Sequence, residues 1–207
     1  MIRTRLRRST RWLTLLAICA VFSGCIGKRS PEVTFYSLLS MAQMNEAAST
    51  DRVDSGLRVG IGPITIPEAL KQAQLVTRDT RNIYRFDEYH RWAGILEKDI
   101  AYVTGENLMM LLGTDKIAFF PWMPHFSPTH RVIIDILRFD GELSGDAVLS
   151  ANWTIADATG KISLASGSGV YRQPVSGGDH TRLVKAESRA LADLSRVIAT
   201  ELNRLKE

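Results

Sequence analysis

The chain has 207 residues, 45% of them hydrophobic, two cysteines and a formal net charge of +4. Five arginines (Arg3, Arg5, Arg7, Arg8 and Arg11) fall in the first eleven residues with no acid among them, and without them the net charge is about −1. The basic balance therefore belongs to the leading segment and gives no support to nucleic-acid binding, which needs a basic stripe on the folded domain.

The arginines are followed by an apolar run from Trp12 to Phe22 and then by Ser23, Gly24 and Cys25. This is the layout of an export signal. The run is eleven residues long, whereas a helix needs about 20 to span the hydrocarbon core, so a transmembrane helix is the weaker reading. Arg7-Arg8 lacks the apolar residues that the twin-arginine route prefers after its pair, which favours the general secretory route. Phe22-Ser23-Gly24-Cys25 resembles the lipobox of bacterial lipoproteins, whose cysteine carries the acyl chains. Cys19 lies inside the signal, so Cys25 becomes the sole cysteine and forms no internal disulfide. Each buried methylene contributes about 0.8 kcal/mol, and two or three chains give stable attachment where one gives only marginal binding. By likeness to other lipoproteins, Ile26 in place of an aspartate implies sorting to the outer membrane of a double-membraned organism.

The expected organisation is a lipoprotein signal peptide over 1–24, a lipidated tether over 25–33 and a single domain over 34–207. The eight residues Ile26 to Val33 can span about 26 Å at about 3.3 Å per residue, so the domain sits close to its membrane. Its size allows a real core, burying about 70% of the unfolded surface.

Thr34 to Leu39 reads as a strand and Ser40 to Gly56 as a long polar loop. Leu57 to Ile66 returns to strand, with a bulge or bend expected at Gly62-Pro63. Gln74 to Thr77 and Ile83 to Phe86 flank the turn-prone Asp79-Thr80-Arg81-Asn82 and predict a hairpin. Apolar positions from Trp92 to Leu112 recur at helical spacing, which predicts a first long helix over Arg91 to Leu112 stopped by Gly113. Short strands are expected at Ile117 to Phe120, Val132 to Phe139, Ala147 to Ile155 and Lys161 to Tyr171. Leu183, Leu191, Leu194, Ile198, Leu202 and Leu205 stripe a second amphipathic helix from His180 to Leu205. The order predicts an α+β fold in which a mainly antiparallel sheet carries two long helices packed on one face.

Chemical signatures are sparse. Gly60-Ile61-Gly62 has Thr65 where a dinucleotide loop needs its third glycine, and the glycines are better explained by the bend. No two of His90, His125, His130 and His180 have the three- or four-residue spacing favoured by helical metal sites. His125 and His130 share a proline-rich loop, where a weak surface metal site competes with the blander reading of solvated or packed histidines. Gly167-Ser168-Gly169 falls in a strand rather than in a nucleophile elbow. Asp135 and Asp140 could form an acid–base pair, although strand-end and turn roles are commoner. Trp122, Met123 and Phe126 stand in a surface loop, either as a plug on the core or as a contact for a partner or lipid. No catalytic, cofactor-binding or metal site is assigned, and the expectation is a non-enzyme.

Several segments taken in order resemble the PqiC family of ABC-type transport auxiliary lipoproteins. They are Phe35-Tyr36-Ser37-Leu38, the run from Val59 to Pro67, Gln74-Leu75-Val76-Thr77-Arg78, Arg91-Trp92-Ala93, Glu106-Asn107-Leu108, Pro121-Trp122, Arg138-Phe139-Asp140-Gly141 and Trp153-Thr154. The resemblance implies a non-enzymatic lipoprotein on the periplasmic face of the outer membrane. It would work with a periplasmic MCE protein and an inner-membrane transport component to move lipids between membranes; the residues do not specify the lipid, phospholipid being one candidate, and a homo-oligomeric ring would suit such docking. Arg91 and Trp92 are expected to open the first helix, with Trp92 in the core. Two other readings stay open: an architectural cell-envelope lipoprotein without a transport role, and a periplasmic hydrolase whose triad is assembled only in three dimensions.

Overall fold

The computed structural model describes residues 31–46, 56–80 and 82–205. The signal segment, Cys25 and the tether up to residue 30 lie outside the described residues, as does the part of the predicted loop over 47–55. Residues 33–207 cluster as one compact unit.

In chain order the elements are β1 (Thr34–Tyr36), β2 (Val59–Thr65), a 3-10 turn (Glu68–Leu70), β3 (Gln74–Thr80), β4 (Ile83–Trp92), α1 (Leu96–Leu112), β5 (Ile117–Phe119), β6 (His130–Gly141), β7 (Asp146–Asp157), β8 (Ser163–Pro174) and α2 (His180–Arg204). The α+β expectation holds. The long pairings β3–β4, β6–β7 and β7–β8 are antiparallel, while β1–β4, β2–β5, β2–β6 and β3–β6 are parallel. Strand β6 is the spine of the sheet, pairing with β7 along one side and with β2 and β3 on the other.

Alternation explains why β6 and β7 sit at the centre. Val132, Ile134, Ile136 and Phe139 on β6, with Leu149, Ala151, Trp153 and Ile155 on β7, turn one face into the core. Asn152 and Asp135 point out on the other face and are exposed. Both helices pack on the apolar face and on one another: α1 lies over β2 and β5, and α2 over β7 and β8. Leu191, Leu194, Ile198 and Leu202 of the α2 stripe join the same core cluster as Ile100, Val103 and Leu108 of α1.

The bend in β2 is present as a register shift against β6 between Ile61 and Ile64. The hairpin turn falls where expected, but its strands are longer and run on to Trp92. That corrects the start of the first helix. Arg91 and Trp92 end β4, and α1 begins only at Leu96, with Ile95 still extended at its N-cap. Trp92 is a core residue as expected, and Gly113 ends α1 in the left-handed region at φ 64°, a conformation glycine adopts without penalty.

The stretch after β1 is more firmly held than a polar loop would be. Leu38 N–H donates to Asp99 Oδ2 of α1 at 2.8 Å, Leu39 N–H to Ser188 Oγ of α2 at 3.0 Å, and Met41 N–H to the buried Asn107 Oδ1 at 2.8 Å. Asn107 also donates to Ser195 Oγ at 3.3 Å, tying the two helices together. Glu46 pairs with Arg196 of α2. Side chains of both helices thus satisfy backbone groups that no strand partner reaches, and they fix residues 38–41 onto the helical layer.

Candidate functional site

The candidate functional region lies around the β3–β4 hairpin. Strand β3 meets β6 at Thr77↔Gly141, and beyond that pair the hairpin carries Ile83, Tyr84, Phe86 and Tyr89, each between 41% and 47% exposed. Tyr84 and Phe86 lie with ring centroids 6.5 Å apart, an exposed aromatic pair that is informative where single exposed apolar residues would not be. Beside it, Thr77, Tyr84, Phe86, Asp87, Leu143 and His180 line an open cleft of about 430 Å³.

Two polar clusters border this region. In the first, Asp140 of β6 is 1% exposed and is gripped by two arginines. Arg78 of β3 donates through Nε to Oδ1 at 3.1 Å and through Nη2 to Oδ2 at 2.8 Å, and Arg138 Nε reaches Oδ1 at 2.9 Å. The Arg78 guanidinium also lies 4.3 Å from the centre of the Tyr84 ring, which couples this buried pair to the exposed hairpin. Asp135, by contrast, is exposed and accepts from Thr65 Oγ1, so the two aspartates sit in separate environments and not as an acid–base pair. Glu187 of α2 is buried near Asp140. Burial, and then the charge of Asp140, push its carboxyl well above its ordinary value.

The second cluster is Asp87, His90 and His180. Asp87 Oδ1 lies 3.0 Å from His90 Nδ1, and its Oδ2 lies 3.4 Å from His180 Nε2. The two imidazole rings stack at 3.8 Å with their planes 17° apart. Asp87 Oδ1 accepts the backbone N–H groups of Tyr89 and His90, at 2.8 and 3.1 Å, which sets the carboxylate's direction. Burial opposes ionisation of Asp87, but the His90 contact and the Tyr89 N–H outweigh it and hold the carboxyl below its usual range. Burial and the neighbouring His90 lower His180. His180 opens α2, directly after Asp179, whose carboxylate caps the helix by accepting Arg182 N–H at 2.8 Å.

The other histidines do not come together. His125 is exposed, and His130 is half-buried with Nδ1 3.1 Å from Thr129 Oγ1. Among the described residues the one group of three metal-capable side chains is the Asp87 cluster, which a search for paired histidines misses. Its signal was a carboxylate three residues before a histidine on one strand, with the second histidine 90 positions away. The aromatic loop divides: Trp122 folds back over β2, while Met123 stays 65% exposed. A Cβ on Gly60 would lie 2.9 Å from the Trp122 ring and 3.2 Å from Pro128, so this glycine makes room for the plug. Cys25 lies outside the described residues, and no described helix is long and apolar enough to cross a membrane.

The sequence matches the family model of the ABC-type transport auxiliary lipoprotein component over residues 36–199. The chain belongs to that family. It is therefore an auxiliary lipoprotein of an ABC-type transport system, with transporter components as its partners, and membership points to a non-enzymatic role. Two solved structures share the fold. One, an uncharacterized protein, superposes with a TM-score of 0.66 at 16% identity, covering 83% of this chain and 99% of its own. The other is protein XCC0632 from Xanthomonas campestris, of the family DUF330, with a TM-score of 0.65 at 13% identity, covering 81% and 93%. No curated protein matches the sequence.

Proposed function

We propose that the protein is processed before Cys25, anchored by acyl chains on that residue at the periplasmic face of the outer membrane, and docks a periplasmic MCE assembly there as a non-enzymatic subunit of intermembrane lipid transport. The observation that carries this reading is the family match across residues 36–199. The leading sequence adds a signal ending in Phe22-Ser23-Gly24-Cys25 and a tether of eight residues, Ile26 to Val33, which reaches about 26 Å at most. A domain so close to its membrane suits the receiving end of an assembly that brings phospholipid across the periplasm, and a ring of subunits would suit that docking. The exposed aromatic hairpin is the surface offered for contact.

Replacing Cys25 with alanine behind an ordinary cleavable signal leaves the domain intact and removes the anchor. The expected result is a freely soluble periplasmic protein at normal abundance and a cell envelope as sensitive to detergent as that of the deletion strain. Normal envelope integrity with the soluble form would contradict docking at the membrane.

A further inference from the structure

We propose that Asp87, His90 and His180 form a binding site for a late first-row divalent cation, zinc above all. This stands apart from the transport reading and does not depend on it. The three side chains each offer a donor atom, and the three atoms all lie within 4.8 Å of one another. Zinc bonds of 2.0–2.1 Å in a tetrahedron hold ligand atoms about 3.3 Å apart. The two oxygens of Asp87 each face one imidazole nitrogen near that spacing, Oδ1 at 3.0 Å from His90 Nδ1 and Oδ2 at 3.4 Å from His180 Nε2. The rings stack at 3.8 Å with planes 17° apart, so holding one ion requires them to turn out of the stack until their in-plane lone pairs converge.

The donor set suits a borderline cation: two imidazoles and one carboxylate leave at least one coordination position open. Zinc has no geometric preference from its d electrons, so it tolerates a set still shaped by ring stacking. His90 Nδ1 is buried and has no well-aligned hydrogen bond despite its 3.0 Å approach to Asp87, which leaves that nitrogen without a good proton-mediated partner. The Tyr89 and His90 N–H groups orient Asp87 through Oδ1, which leaves Oδ2, 3.4 Å from His180 Nε2, as the oxygen free of those backbone bonds. The cleft of about 430 Å³ that reaches Asp87 and His180 gives an entry path and room for water or an exogenous ligand. The N-terminal dipole of α2 opposes a cation beside His180, and the carboxylates of Asp87 and Asp179 offset it, so the expected affinity is micromolar rather than that of a structural zinc finger.

The test uses the full-length protein in detergent, without a polyhistidine tag and stripped of metal, titrated with zinc chloride against a fluorescent zinc chelator. One zinc per chain is expected, with affinity weakened by about tenfold or more in Asp87→Asn and in His180→Gln, and unchanged in His125→Gln. X-ray absorption on the zinc-loaded wild type should show imidazole nitrogen and carboxylate oxygen and no sulfur, a readout that survives if a variant fails to fold. Absence of binding by the wild type, wild-type affinity in either site variant, or a sulfur ligand would overturn the assignment.

Discussion

Arg78→Ala will lower the stability of the domain by about 3 kcal/mol, because it leaves a buried carboxylate short of its partner. Asp140 is 1% exposed, and two of its contacts are the Arg78 Nε and Nη2 bonds at 3.1 and 2.8 Å. Arg138 still reaches Oδ1, through Nε at 2.9 Å and Nη2 at 2.8 Å, but Oδ2 loses its bond from Arg78. For a domain of this size the loss corresponds to a fall in Tm of about 6–12 °C. Arg85→Ala is the matched control. Its partner Asp79 is on the surface and both side chains are largely exposed, so its removal changes stability by about 0.5 kcal/mol or less. Thermal unfolding of the two variants side by side checks the difference, and equal effects would mean that burial of Asp140 is not what makes its pairing matter.

Glu187→Gln will remove most of the decline in stability that the wild type shows as pH rises above the ordinary carboxyl range. Glu187 is 2% exposed, its Oε2 has no hydrogen-bond partner, and burial together with the charge of Asp140 holds its carboxyl well above its ordinary value of 4.5. In the native state it keeps its proton while the unfolded chain gives one up. Its contribution is therefore full below pH 4.5, and it is lost at about 1.4 kcal/mol per pH unit until the native carboxyl itself titrates. Glutamine keeps the size and has no proton to lose. The curves of stability against pH for the two proteins should run together in acid and separate toward neutrality, with the variant the more stable. Parallel curves would show that Glu187 is ionised in the fold.

The elements that the sequence declared best were those whose pattern is local. The hairpin between β3 and β4, the α2 stripe and the alternation of β7 each follow from local spacing. The start of α1 was misread because Trp92 closes β4 on the buried side while sitting four residues before Leu96, so one side chain fits both periods. The parallel pairings of β2 with β6 and of β3 with β6 join residues about 70 positions apart, which no local pattern reports. The same holds for function. The Trp122 plug explains Gly60 only once the fold puts them together, and Asp87 meets His180 only because β4 lies under the start of α2. Cys25 is the opposite case: its meaning rests wholly on the sequence around it.

The central claim is that this auxiliary lipoprotein acts with a lipid-transport assembly. It is tested most directly by crosslinking the tagged, lipidated protein in living cells and identifying by mass spectrometry the proteins and lipids that co-purify. Recovery of a periplasmic MCE protein and a transporter component, with phospholipid, is expected, with crosslinks that fall on the Ile83 to Tyr89 strand. Recovery of cell-wall or assembly proteins in their place would contradict it and favour an architectural role.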